Sequence, residues 1–146
     1  MSIVALGYMG IRSQSLADWS DYAGRLLGMQ KVDTGGGSMA FRMDDWRQRL
    51  VVIDEGGDEF AFMGWQVADT SDLDGLAARI EGAGIAVTEA GRALCDQRFV
   101  ERMIHFDDPD GNRVELFANP RLATDPFSPG RAIQGFLTGP YGMGHA

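Results

Sequence analysis

The strongest constraint in this sequence is an internal repeat of its start and stop signals. Ser15 and Ser71, Asp18 and Asp74, and Gly28 and Gly84 all stand 56 positions apart. Each triple brackets a stretch in which apolar residues recur at helical spacing, namely Leu16, Trp19, Tyr22, Ala23, Leu26 and Leu27 in the first copy and Leu73, Leu76, Ala77 and Ile80 in the second. The serines are expected to cap the helices, the aspartates to complement the positive helix end, and the glycines to stop the run. A strand precedes each helix, at Leu6 to Ser13 and at Phe60 to Val67.

Short β-type runs follow each helix, with no further helix expected. They are Met39 to Met43 and Leu50 to Ile53 in the first copy, set off by the glycine turn at 35–37, and Ala86 to Glu89, Val100 to Phe106 and Arg113 to Phe117 in the second. Pro109-Asp110-Gly111-Asn112 reads as the closing hairpin turn. The pattern predicts two β-α-β-β-β modules, over about 1–55 and 58–118. One helix cannot cover both faces of its strands, so the modules are expected to pair around a shared core, giving an α+β fold. Four of the five prolines fall after residue 119, and 119–141 reads as an extended linker whose Phe127, Ile133 and Phe136 lie along a surface. Residues 142–146 resume the look of a strand.

Composition narrows the function classes. The chain has 146 residues, 45% of them hydrophobic, enough for one globular domain that needs no covalent staples. A single cysteine, Cys95, excludes an internal disulfide and fits a reducing, cytoplasmic setting. With 21 acidic against 13 basic residues the net charge is −8, which repels nucleic acid phosphates, and no apolar run is long enough to span a membrane.

The segment Phe106-Asp107-Asp108-Pro109-Asp110-Gly111-Asn112-Arg113-Val114-Glu115-Leu116 resembles the closing hairpin of the vicinal oxygen chelate superfamily, whose domains are paired β-α-β-β-β modules. Leu6-Gly7-Tyr8-Met9-Gly10, Phe136-Leu137-Thr138-Gly139 and Gly142-Met143-Gly144-His145 are similar to two-domain extradiol ring-cleavage dioxygenases of the 2,3-dihydroxybiphenyl type. The resemblance implies an N-terminal, non-catalytic domain (1–118), a linker (119–141), and at 142–146 the first strand of a C-terminal catalytic domain. It implies Fe(II) as the cofactor of the intact parent and a catechol-type aromatic as its substrate. His145 matches the family's first iron ligand. Facial Fe(II) sites take two histidines and a carboxylate, leaving positions for catechol and O2. The rest of that triad would lie beyond residue 146, so this chain by itself is expected to hold no metal and to cleave no ring, and its partner is expected to be the catalytic domain or a second copy of the chain.

Other readings compete residue by residue. Glu115 occupies the place where single-domain superfamily members carry a metal-binding glutamate, which would make the chain a glyoxalase-like metalloenzyme with a site shared across a dimer. Its expected partners, near Tyr8 and in Phe62-Met63-Gly64-Trp65-Gln66, include no imidazole or carboxylate, so Glu115 reads better as a structural acceptor. A further alternative is a metal-free module holding a small apolar or aromatic molecule in the concavity of its sheet. His105 is expected to be a hydrogen-bonded strand residue, Cys95 a plain buried thiol, and Trp19, Trp46 and Trp65 packing residues. Asp107, Asp108 and Asp110 suit turn chemistry better than a calcium loop. Loss of the second domain is expected to leave Phe127, Ile133 and Phe136 uncovered, a surface that favours self-association.

Overall fold

The computed structural model describes residues 3–143 apart from Gly35, without the side chains of Asp33 and Tyr141. The first module runs β1 (Ile3–Arg12), α1 (Leu16–Trp19, continued without a break by π-helical turns over Ser20–Leu27), β2 (Gln30–Asp33), β3 (Ser38–Arg42) and β4 (Leu50–Ile53). The second runs β5 (Glu59–Val67), α2 (Thr70–Gly82), β6 (Thr88–Glu89), α3 (Arg92–Arg98), β7 (Val100–Asp107) and β8 (Arg113–Pro120). A 3₁₀ turn at Gly139–Tyr141 lies near the end.

All eight strands form one sheet in the order β2-β3-β4-β1-β5-β8-β7-β6. The order reads the same from both edges once each strand is named by its place in its module. β1 pairs parallel with β4 and β5 parallel with β8, while β1 and β5 join the halves as an antiparallel pair with Tyr8 opposite Gly64. The repeated sequence signals therefore encode a repeated topology.

Alternation along the strands sorts the apolar residues onto two faces. On the helix-covered face, Leu50 and Val52 pack with Ala23, Met29, Trp19 and Met9 in the first module, and Val67, Ile104, Leu116 and Ala118 pack with Leu73, Leu76 and Ile80 of α2 in the second. On the opposite face Tyr8, Val51, Phe62, Met103 and Phe117 form a third cluster shared by both modules. The Tyr8 and Phe117 rings stack at 4.9 Å, and Phe62 meets Tyr8 edge-on at 6.1 Å. Trp46 packs edge-on against Phe117, Trp19 against Tyr22, and Trp65 joins the cluster under α2.

The fold departs from the sequence reading at five places. Ser71 does not cap α2: the N-cap is Asp69, whose carboxylate accepts from the backbone N–H groups of Ser71 and Asp72. A carboxylate two residues upstream carries both an acceptor and the charge the helix dipole favours, so it displaces the serine. Ser15 starts α1 without a side-chain cap bond, and its own N–H donates to Ser13 Oγ. The glycines do end both runs, with Gly28 at φ +87° and Gly84 at φ +85°.

Two elements were missing from that reading. β2 fills the space between the first helix and the glycine turn and forms one sheet edge. α3 interrupts the β-type runs of the second module, turning into β7 at Phe99, a non-glycine residue at φ +56°. The third apolar cluster and Arg98 both depend on it.

The tail beyond β8 follows the first module. Phe127 and Phe136 meet at 6.1 Å, Phe136 packs on the cluster under α1, and the Ile133 side chain fills the space a Cβ on Gly28 would need. These three residues are half-buried on this chain, which corrects the expectation that they stand uncovered. The exposed apolar groups here are instead Leu122 and Leu137. Gly142 forms a parallel bridge to Leu6, and the Met143 N–H donates to the Leu6 carbonyl at 3.0 Å. His145 lies outside the described residues.

Candidate functional site

The sheet face away from α1 and α2, partly covered by α3, carries a buried charge cluster. Glu115, in the middle of β8, is fully buried. Its Oε2 accepts from Tyr8 Oη at 2.7 Å and Arg98 Nε at 2.9 Å, and its Oε1 accepts from Arg98 Nη2 at 3.2 Å and Arg113 Nε at 3.0 Å. A carboxylate offers about four lone-pair positions, and these four donors occupy them. The Arg98 pair is bidentate, the strongest arrangement available to a carboxylate and a guanidinium.

Three elements bring the four members together. β1 supplies Tyr8 and α3 supplies Arg98, while β8 supplies both Glu115 and Arg113, two residues apart and so on the same face. Tyr8 fits because its cross-strand neighbour is Gly64: a Cβ there would collide with the Tyr8 ring. Arg98 lies flat over the Phe62 ring, 3.9 Å from its centroid, and Gln48 donates to the Arg98 carbonyl at 3.1 Å. Burial, with the Glu115 charge beside it, pushes the Tyr8 hydroxyl well above its ordinary pKa, so it stays a donor at physiological pH.

His105 lies opposite Glu115 in the β7–β8 register. Burial lowers its pKa, and the nearby Arg113 charge lowers it further. Cys95, inside α3, is buried, and burial raises its thiol pKa, which disfavours the nucleophilic thiolate. Asp108 accepts from the backbone N–H groups of Asp110 and Asn112 and from the Asn112 side chain, so its carboxylate is spent on the hairpin turn.

A second buried arginine fixes the loop before β4. Arg49 pairs with Asp44, donates to the Gly7 carbonyl at 2.9 Å and lies 3.7 Å over the Trp46 ring. Although burial works against its charge, Asp44 is held below the ordinary carboxylate range by Arg49.

The described residues do not fit an iron ion. Among them no group of three or more His, Cys, Asp and Glu side chains comes together, and Glu115, the alternative metal ligand, already has all its acceptor positions taken by protein donors. The residue that sequence reasoning missed is Arg98, because α3 falls where only β-type runs and turns are expected. Its signal was present: Leu94, Cys95 and Arg98 share one helical face, and Arg92 and Asp96 stand at i, i+4 as an ion pair.

Two modules arranged about one antiparallel strand pair, with α1 and α2 on one face and a groove beside α3 on the other, define a paired-module α+β domain of the kind the vicinal oxygen chelate resemblance implies. The family model Dihydroxybiphenyl dioxygenase BphC D1 matches residues 6–55. The chain is 38% identical to a biphenyl-2,3-diol 1,2-dioxygenase of Sphingomonas paucimobilis and 38% identical to a 1,2-dihydroxynaphthalene dioxygenase of Sphingobium xenophagum. In each case 99% of this chain is covered, and 50% and 49% of the relatives. Among solved structures it superposes on a catechol 2,3-dioxygenase with a TM-score of 0.95 at 38% identity, covering 99% of this chain and 52% of that one. A homoprotocatechuate 2,3-dioxygenase of Arthrobacter globiformis, at 18% identity and a TM-score of 0.73, shares the fold. Over 99% of its length the chain is similar to the N-terminal half of extradiol dioxygenases. It spans about half the length of the curated relatives it matches.

Proposed function

We propose that this chain is the non-catalytic N-terminal half of an Fe(II)-dependent extradiol dioxygenase that opens catechol-type rings fused or joined to a second ring. The observation that carries the reading is the saturated state of Glu115. The one carboxylate placed where a metal could be gripped is committed to Arg98, Arg113 and Tyr8, so this domain's charge cluster is built to hold itself together without a metal. Ring cleavage then belongs to the other half of the whole protein, where His145 would supply one iron ligand and further donors would come from sequence outside this chain. The intact protein would work in the cytoplasm; among the described residues no helix is long and apolar enough to cross a membrane. The relatives that support the substrate class are named for biphenyl-2,3-diol and 1,2-dihydroxynaphthalene, both two-ring diols.

The test is a chimera in which this chain replaces the N-terminal half of the Sphingomonas paucimobilis relative. With Fe(II) and O2 it should convert 2,3-dihydroxybiphenyl to the yellow ring-fission product, and His145→Ala should abolish that conversion. The 146-residue chain alone should give no product. Ring opening by the isolated chain, or full activity of the His145→Ala chimera, would refute the reading.

A further inference from the structure

The sheet face beside α3 opens as a groove of about 1070 Å³, at the upper end of the size range of small-molecule sites. Val51, Ile53, Ala61 and Leu94 give it an apolar wall and Arg98 and Arg113 a cationic corner, and the acids Asp54, Glu55 and Asp96 also line it. The proposed ring chemistry makes no use of this groove.

The charge cluster at the corner is not balanced within itself. Two guanidinium groups face the single Glu115 carboxylate, whose four acceptor positions are full. Arg113 donates through Nε, but its Nη2 is buried and finds no hydrogen-bond partner among the described residues. A buried guanidinium N–H without an acceptor costs free energy that an incoming anion would recover. The acids nearby do not supply it: Asp54 and Glu55, which line the groove, are exposed beyond the end of β4, and Arg113 Nη2 bonds to neither. Asp96 is engaged by Arg92 and Arg121, and Asp107, opposite Arg113 in the register, sits at the exposed end of β7 where water screens it.

We propose that this groove is a binding site for a small aromatic carboxylate, with the ring or rings against the apolar wall and the carboxylate on Arg113. The Arg113 side chain is 31% exposed, so its head group can turn Nη2 toward the groove while Arg98 and Tyr8 keep Glu115 in place. An uncharged molecule of the same shape gains the apolar wall but leaves the guanidinium unsatisfied. Acid over amide is therefore the signature of the site.

The test is calorimetric titration of the 146-residue chain with 2-naphthoate and with 2-naphthamide. The acid should bind saturably, at least tenfold more tightly than the amide. Arg113→Gln should erase that difference. Ala93→Trp, which fills the groove from an exposed position on α3 and leaves the charge cluster alone, should weaken both ligands. No saturable binding of the acid, equal affinity for acid and amide, an acid preference that survives Arg113→Gln, or indifference to Ala93→Trp would each overturn the proposal. If Arg113→Gln does not fold, the acid-to-amide ratio and Ala93→Trp decide it. Neither ligand has a catechol pair and the titration needs no iron, so its outcome is independent of the ring-cleavage reading.

Discussion

Tyr8 Oη donates to Glu115 Oε2 at 2.7 Å across 107 positions of sequence, tying the first strand of one module to the last strand of the other. The bond sits inside a buried ion cluster, so the energetic consequence differs sharply between its two ends. Glu115→Gln strips the only carboxylate facing Arg98 and Arg113 in that cluster and leaves buried guanidinium charge, which typically costs about 3–5 kcal/mol. Tyr8→Phe removes one of four donors to the carboxylate and should cost about 1.5 kcal/mol, the scale of one hydrogen bond to a charged group. Urea unfolding of the two variants should rank them in that order. Equal losses would mean the cluster is not the element joining the modules.

Gly64 is the position that admits the Tyr8 ring. Gly64→Ala sets a Cβ against ring carbons of Tyr8 and should destabilise the fold by about 1–3 kcal/mol, the range for overpacking a well-filled core. Adding Tyr8→Ala in the same chain should make the Gly64→Ala step far less costly than it is alone. A double-mutant cycle with no coupling would show that the strands absorb the methyl group without moving the tyrosine.

How far the sequence could reveal this arrangement depended on the range of the interactions involved. The strands at Leu50 to Ile53 and Phe60 to Val67 announce themselves because their apolar spacing is local, and Gly28 and Gly84 because a left-handed backbone selects glycine. The capping error at Ser71 is also local: both Asp69 and Ser71 are good caps, and only the observed geometry decides between them. α3 was hidden by its length of seven residues, too short for periodicity to separate it from a turn-rich stretch. The Glu115 cluster was hidden for another reason. Its members lie at positions 8, 98, 113 and 115, and nothing in local spacing says that an arginine from an unrecognised helix will occupy a glutamate that the hairpin motif suggested for a metal.

Asp69 rather than Ser71 closes the first turn of α2, and the two can be separated. Asp69→Ala removes the acceptor for two backbone N–H groups and for the Ser71 hydroxyl. Ser71→Ala removes only the hydroxyl that donates to that same carboxylate oxygen. Thermal melts should show the larger loss for Asp69→Ala, and the reverse order would restore the serine as the cap.

His105 gives the stability a pH dependence of defined sign. Burial and the Arg113 charge lower its folded-state pKa below the ordinary 6.5, so the unfolded chain binds a proton more readily. Stability is therefore full above about pH 6.5. It falls as the pH drops toward the lower, folded-state value, and below that value this contribution changes no further. Asp44 acts in a separate window: its lowered pKa gives stability present above 3.8 and lost as the pH falls through its folded value. Denaturant midpoints between pH 5 and 7.5 should rise with pH, and His105→Gln should flatten that rise. A slope unchanged by the substitution would place the titrating group elsewhere.

Phe136 anchors the tail that follows β8. Its ring meets Phe127 and packs on the cluster of Ala23, Met29, Phe41, Leu50 and Val52, while Ile133 fills the space beside Gly28. Because the ring is only half-buried, Phe136→Ala should cost about 2 kcal/mol, below the usual range for a fully buried phenylalanine. The loss has a local signature as well. With its anchor gone, the stretch from Leu122 to Leu137 should exchange its amide hydrogens faster and be cut by protease ahead of the sheet, which retains its own ladder of strand pairs. Gly28→Ala should act in the same direction, since its methyl group would displace Ile133 and would sit on a backbone at φ +87°. Uniform exchange across sheet and tail in Phe136→Ala would show instead that the tail unfolds only with the whole domain.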